Sequence, residues 1–126
     1  MQELENLGGA LSREQLTALI VGADRPLVRE WQNLDEQIQP NGIDLTLREV
    51  SAYRGQGQIG VASADRVLPD LEPLAFDADG WVTLSPGIYQ IVYNEIVDIP
   101  VTLMALGRPR SSLGRGGVTI HTAVWD

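Results

Sequence analysis

Hydrophobic positions near the start of the chain fall at helical intervals. Ser12 stands three residues before Gln15, the spacing of a capping box, and Leu16, Leu19 and Ile20 follow along one face. The pattern predicts one short N-terminal helix over about residues 12–21, stopped near Gly22 and Pro26. From Ile43 onward the period changes to two. Ile43, Leu45 and Leu47 alternate with Asp44, Thr46 and Arg48, as in a half-buried strand. Trp81–Leu84, Ile88–Tyr93, Val101–Leu106 and Val118–Val124 are equally rich in β-formers. Asp79-Gly80, Ser85-Pro86-Gly87, Ile99-Pro100 and Gly116-Gly117 separate them as turn signals. Short strands from about residue 43 onward, with no second helix of any length, predict a mainly β chain: a sandwich, jelly roll or small barrel. Residues 54–79 are the least regular and read as a long, partly exposed excursion.

The length of 126 residues fits a single domain, 1–126, large enough to bury a core. With 44% hydrophobic and 21% charged residues the balance is globular. There are no cysteines, which excludes disulfides, thiolate metal sites and cysteine nucleophiles. The Met1–Glu5 stretch is acidic where a signal peptide is basic, and no apolar run approaches ~18 residues. The expectation is a soluble cytoplasmic protein with no membrane partner.

Charge sharpens the picture. Seventeen acids against nine bases give a net charge of −8, and every base is arginine. This argues against a binder of nucleic acid polymers, whose phosphate contacts need a basic face. Yet the 27 residues between Asp98 and Asp126 hold no carboxylate and carry Arg108, Arg110 and Arg115. An anion site, if the chain has one, belongs there.

Three segments carry candidate chemistry. Arg108–Gly117 combines arginines, two adjacent hydroxyls (Ser111 and Ser112) and glycines that permit close backbone approach, as a phosphate cradle needs. The same composition also describes an arginine-rich surface turn. In Gln39-Pro40-Asn41-Gly42-Ile43-Asp44 a turn delivers Asp44 to a strand, where such an aspartate can equally satisfy backbone donors. The third segment, Val118–Asp126, contains His121, the single histidine, and ends in an aspartate that can act as a general base or lie solvated. One histidine cannot build a histidine metal site, and nothing in sequence places it beside a serine as in a triad. Without lysine there is no Walker loop and no kinase chemistry. Together, an anion cradle and acids able to hold hydrated Mg²⁺ suit work on a nucleoside triphosphate.

These residues resemble the dUTPase and dCTP deaminase superfamily. Gln39-Pro40-Asn41-Gly42-Ile43-Asp44-Leu45-Thr46-Leu47 is similar to its first motif, and Arg110-Ser111-Ser112-Leu113-Gly114-Arg115 to its arginine-serine-serine phosphate motif. Thr122-Ala123-Val124-Trp125-Asp126 is similar to the opening of its nucleoside-binding segment, and the match runs in order from about Leu11. The resemblance implies a distorted jelly-roll-like β-barrel and a homotrimer with shared active sites. It implies that Arg110, Ser111 and Ser112 grip the triphosphate, with Arg115 near the phosphates or the reacting base. His121, Thr122 and Ala123 would hold the pyrimidine, largely through backbone groups. Asp126 would contact the sugar hydroxyl and help position water, and Asp44 would support the phosphate–metal region. Asp126, Arg115 and Ser111 are the catalytic candidates. Mg²⁺ is expected on the substrate phosphates, with no metal ligand assigned to the protein.

Arg115 leans toward dCTP deamination. The ten residues between Arg115 and Asp126 look shorter than a deaminase's, and the wording of the first and last motifs resembles archaeal-style dUTPases. The expected reaction is therefore hydrolysis of dUTP to dUMP and pyrophosphate, with dCTP deamination or a non-catalytic nucleotide-binding relative as alternatives. The superfamily continues beyond this aspartate with further strands and a glutamate, so the chain is expected to be C-terminally incomplete.

Overall fold

The computed structural model describes residues 8–126. The acidic N-terminal stretch noted above lies outside them. Contacts divide the chain into two compact units: one runs up to Asp44 and resumes at Ile96, and the other spans Leu45–Glu95.

The first unit is organised by α1 (Arg13–Val21). Ser12 Oγ accepts the Gln15 backbone N–H at 3.2 Å, and Gln15 Oε1 accepts the Ser12 N–H at 2.9 Å, so both halves of the capping box are present. The helix buries Leu16 and Ile20 against Leu27, Val28 and Ile38, with Leu19, Ile43 and Val97 packed around them. Burying each such side chain contributes about 1.5–3 kcal/mol, which makes this cluster the main stabilising element of the unit. Two-residue strands complete it. Strand β1 (Val28–Arg29) is followed by the single turn α2 (Leu34–Gln37) and the hairpin β2 (Ile38–Gln39) and β3 (Gly42–Ile43).

The second unit is a three-stranded antiparallel sheet of β4 (Leu47–Arg54), β5 (Asp70–Pro73) and β6 (Tyr89–Tyr93), in the order β5-β4-β6. Its central strand buries Val50, Ser51 and Ala52. The buried Glu95 carboxylate accepts the Thr46 N–H at 2.8 Å and its hydroxyl at 2.6 Å, while Asn94 Nδ2 donates to Thr46 Oγ1 at 2.9 Å. A carboxyl group taken out of water is tolerated only with such hydrogen bonds. This one ties the approach to β4 to the exit from β6.

Back in the first unit, β7 (Ile96–Val97) pairs antiparallel with β1, and α3 (Ser111–Arg115) forms a short helix near the end. Small antiparallel sheets with few helices therefore make up the described residues, as the periodicity indicated. The one expected helix, however, is joined by α2 and α3, whose four and five residues are too few to show a helical period. No described helix is long and apolar enough to cross a membrane.

Three expected strands are not strands. Trp81–Leu84 is without strand pairing because Asp77 Oδ1 takes the backbone N–H groups of Asp79 and Trp81, both at 2.9 Å, and curls the chain into a turn. Val101–Leu106 is interrupted by a turn in which Leu103 N–H donates to Pro100 at 2.9 Å. Val118–Val124 has no ladder, and its neighbourhood is held by one isolated bridge, Ala105 to Trp125. β-branched residues favour extended backbone, but a strand also needs a partner that spans its length. The alternating run at Ile43–Leu47 is likewise split, β3 ending at Ile43 and β4 starting at Leu47.

Arg25 clips the loop after α1 to the segment after β7 through a two-pronged contact with Asp98, at 2.6 and 3.0 Å. The hydrogen bond from Arg25 holds the Asp98 carboxyl below its ordinary range. A lowered folded-state value means stabilisation present above the usual carboxylate range and lost as pH falls through the lowered one. Arg25→Gln should therefore lower the urea midpoint modestly near pH 6, with the difference from wild type closing as pH falls through and below the ordinary carboxylate range. A pH-independent difference in paired titrations would contradict this role for the clip.

Candidate active site

The candidate site grows from the turn between β2 and β3. Pro40 and Asn41 form its tip, and the Gln39–Gly42 register sends Asp44 out just beyond β3. Asp44 is fixed from several directions. Its N–H donates to the Gln37 carbonyl at 2.8 Å, and its own carbonyl accepts the Gln37 side-chain amide at 2.9 Å. Gln39 Nε2 donates to Asp44 Oδ2 at 3.1 Å.

The same carboxylate oxygen meets Arg110, whose guanidinium nitrogen lies 2.8 Å away. Arg110 is the cap residue of α3, so this ion pair joins the first motif directly to the arginine-serine segment. The Asp44 side chain is 22% exposed and that of Arg110 67%. An ion pair this open contributes at most about 1 kcal/mol to stability. Its consequence is positional: Arg110 is anchored on one side and keeps its other donors toward solvent.

Ser111 and Ser112 form the first turn of α3 and are exposed, and Arg115 closes the same helix. Arg115 has no carboxylate partner among the described residues, and Arg108 donates to the neighbouring Gly107 carbonyl at 2.9 Å. Two guanidiniums, two hydroxyls and the anchored Arg110 thus occupy one short stretch, a donor set suited to phosphate oxygens.

The last segment folds back on the approach to α3. Ala105 and Trp125 exchange both backbone hydrogen bonds, at 2.8 and 3.0 Å. Thr122 lies close over Gly107, where an added Cβ would come 2.9 Å from its Cγ2 and 3.0 Å from its Oγ1. His121, Thr122, Ala123 and Asp126 are all exposed. Asp44 and Arg110 are therefore brought together, and Thr122 is set against the chain leading into Arg110. No described contact links Ser111, Ser112, Arg115, His121 or Asp126 to the Asp44 carboxylate.

Among the described residues no group of three His, Cys, Asp or Glu stands close enough to hold a metal ion. A cavity of about 100 Å³ under the Arg25–Asp98 clip and an open hollow of about 480 Å³ beside Phe76 and Trp81 contain none of the candidate residues. The candidate site is a surface of donors. Gln37, buried at 5% exposure, is the member that the sequence did not disclose. A polar residue before a turn carries no signal until its burial is known.

A family model described as dCTP deaminase-like matches residues 10–126. A probable deoxyuridine 5'-triphosphate nucleotidohydrolase of Methanosarcina mazei is 47% identical over 116 residues, covering 92% of this chain and 67% of the relative. A relative with the same description from Archaeoglobus fulgidus is 42% identical over the same shares. The deoxyuridine 5'-triphosphate nucleotidohydrolase of Methanocaldococcus jannaschii is 34% identical, covering 86% of this chain and 70% of its own length. No solved structure matches the chain.

The Gly107–Thr122 approach is directly testable. Gly107→Ala should destabilise the chain by roughly 1–3 kcal/mol through overpacking, read as a lower urea midpoint. Adding Thr122→Ala, which removes both crowding atoms, should restore most of the loss. Equal midpoints for Gly107→Ala and wild type would show that the two segments do not pack this way.

Proposed function

The chain belongs to the dCTP deaminase-like family, on the archaeal side of the dUTPase and dCTP deaminase superfamily, and on that premise we propose that it hydrolyses dUTP to dUMP and pyrophosphate. The observation that carries the reading to the residues is the Asp44–Arg110 ion pair, which unites the two motifs of the resemblance in one surface. The names of the archaeal relatives favour dUTP over dCTP as substrate.

In this reading Arg110, Ser111 and Ser112 bind the phosphate oxygens. The arginine supplies charge and the two hydroxyls supply short, directional donors. Arg115 and Ser111 stabilise the charge that grows on the phosphoryl oxygens as water attacks. The water oxygen bonds to the α-phosphorus, the bond to the oxygen bridging toward the β-phosphorus breaks, and pyrophosphate leaves. Asp126 holds the sugar hydroxyl and orients that water. His121, Thr122 and Ala123 receive the pyrimidine against backbone groups, with the base edge setting specificity.

Mg²⁺ fits this surface as a cation carried by the substrate. It commonly binds through one or two carboxylates together with phosphate oxygens. The described contacts of Asp44 fall on Oδ2, and the carboxylate would support the phosphate–metal region while the substrate phosphates hold the cation. When bound, the cation neutralises charge on the phosphates. A dUTPase-like β domain over 1–126 with a distorted jelly-roll-like barrel, assembling as a cytoplasmic homotrimer with shared sites, belongs to the same proposal.

The test is to incubate the chain with dUTP and with dCTP and to follow pyrophosphate and ammonia separately. Pyrophosphate from dUTP without ammonia is expected. Ammonia from dCTP would assign the deaminase reaction instead, and nucleotide binding without turnover would make the chain a non-catalytic relative. Arg110→Ala should weaken binding of a non-hydrolysable dUTP analogue by about 1.5–3 kcal/mol, as for a lost hydrogen bond to a charged group. Unchanged affinity by calorimetry would remove Arg110 from the phosphate site.

A further inference from the structure

We infer that Gln37 is the positioning residue for the phosphate end of this surface: its buried amide fixes the backbone of Asp44 and so the direction in which Asp44 presents its carboxylate to Arg110. The inference rests on the triphosphate reading for its functional consequence, whereas the geometry behind it stands by itself.

Gln37 closes α2, and a primary amide buried this far must place its donors and acceptor on protein partners. Its two ends do different work. Oε1 accepts the backbone N–H groups of Gln32 and Asn33 at 2.7 and 2.8 Å, which shapes the loop entering α2. Nε2 donates to the Asp44 carbonyl at 2.9 Å, and the Gln37 carbonyl accepts the Asp44 N–H at 2.8 Å. One residue thus engages both backbone groups of Asp44.

With that backbone held, the remaining freedom of Asp44 lies in its side-chain torsions. Gln39 limits these by donating to Oδ2, the oxygen that also faces Arg110. The chain of constraint runs from the buried amide to the Asp44 backbone, to its carboxylate and then to the guanidinium. Arg110 is mostly exposed and has long, flexible torsions, so without this anchor it would sample many rotamers. A substrate would then have to order it on binding, at a cost in affinity.

The division of labour within the amide supplies the experiment. Gln37→Glu keeps an oxygen for Gln32 and Asn33 but replaces the donor to Asp44 with an acceptor. In the full chain this variant should bind inorganic tripolyphosphate about tenfold more weakly than wild type. It should raise KM for dUTP more than it lowers kcat. The side-chain Nε–Hε of Arg110, followed by ¹⁵N relaxation without ligand, should lose order toward the level of Arg115.

Tripolyphosphate affinity and Arg110 order equal to wild type in the folded variant would overturn the inference and leave Gln37 as a loop brace. Should the glutamate variant fail to fold, Gln37→Met, of similar length and without polar atoms, is read by the same measurements with the same two outcomes. If wild type itself does not bind tripolyphosphate, the triphosphate reading fails, and the relaxation of Arg110 alone decides the role of Gln37.

Discussion

The candidate site depends on one carboxylate oxygen. Asp44 Oδ2 is shared by Gln39, its neighbour across the hairpin, and by Arg110, far along the chain. The pair is too exposed to hold the fold together. Packing of α1 against Leu27, Val28 and Ile38 does that for the unit in which the candidate site lies. What the oxygen supplies is register: it decides where the arginine-serine segment meets the hairpin.

The charge distribution bears on how a chain of net charge −8 would hold the proposed polyanion. Arg25, Arg48, Arg54 and Arg110 have carboxylate partners, those of the middle two being Glu49 and Glu72. The acid-free stretch has no carboxylate of its own to spend on Arg108 or Arg115. A phosphate approaching that stretch would meet guanidiniums that no adjacent carboxylate neutralises, which locally offsets the repulsion from the acidic remainder of the chain. Steering of this kind weakens as salt screens it over a Debye length of about 8 Å at physiological ionic strength.

Features encoded by neighbouring residues were legible in the sequence. The Ser12–Gln15 capping box, the turn at Pro40-Asn41 and the strand within Ile88–Tyr93 each depend on contacts or periodicity over a few residues. Features that depend on a distant partner were not. Trp81–Leu84 and Val118–Val124 have the residues of strands but no described strand to pair with, while β1, two residues long, forms because β7 lies opposite. The site divides the same way. Asp44 and Arg110 were each recognisable as candidates from composition and motif, but not as a pair. Gln37 carried no signal, because an amide before a turn becomes informative only once it is buried.

In the proposed site Asp44 and Arg110 act as one unit in holding a triphosphate. A double-mutant cycle with Asp44→Asn and Arg110→Gln, scored by calorimetric affinity for a non-hydrolysable dUTP analogue, tests it most directly. A coupling of about 1–3 kcal/mol is expected, the double variant losing less than the sum of the singles. Losses that add to within about 0.5 kcal/mol would show that the two residues act independently and would contradict it.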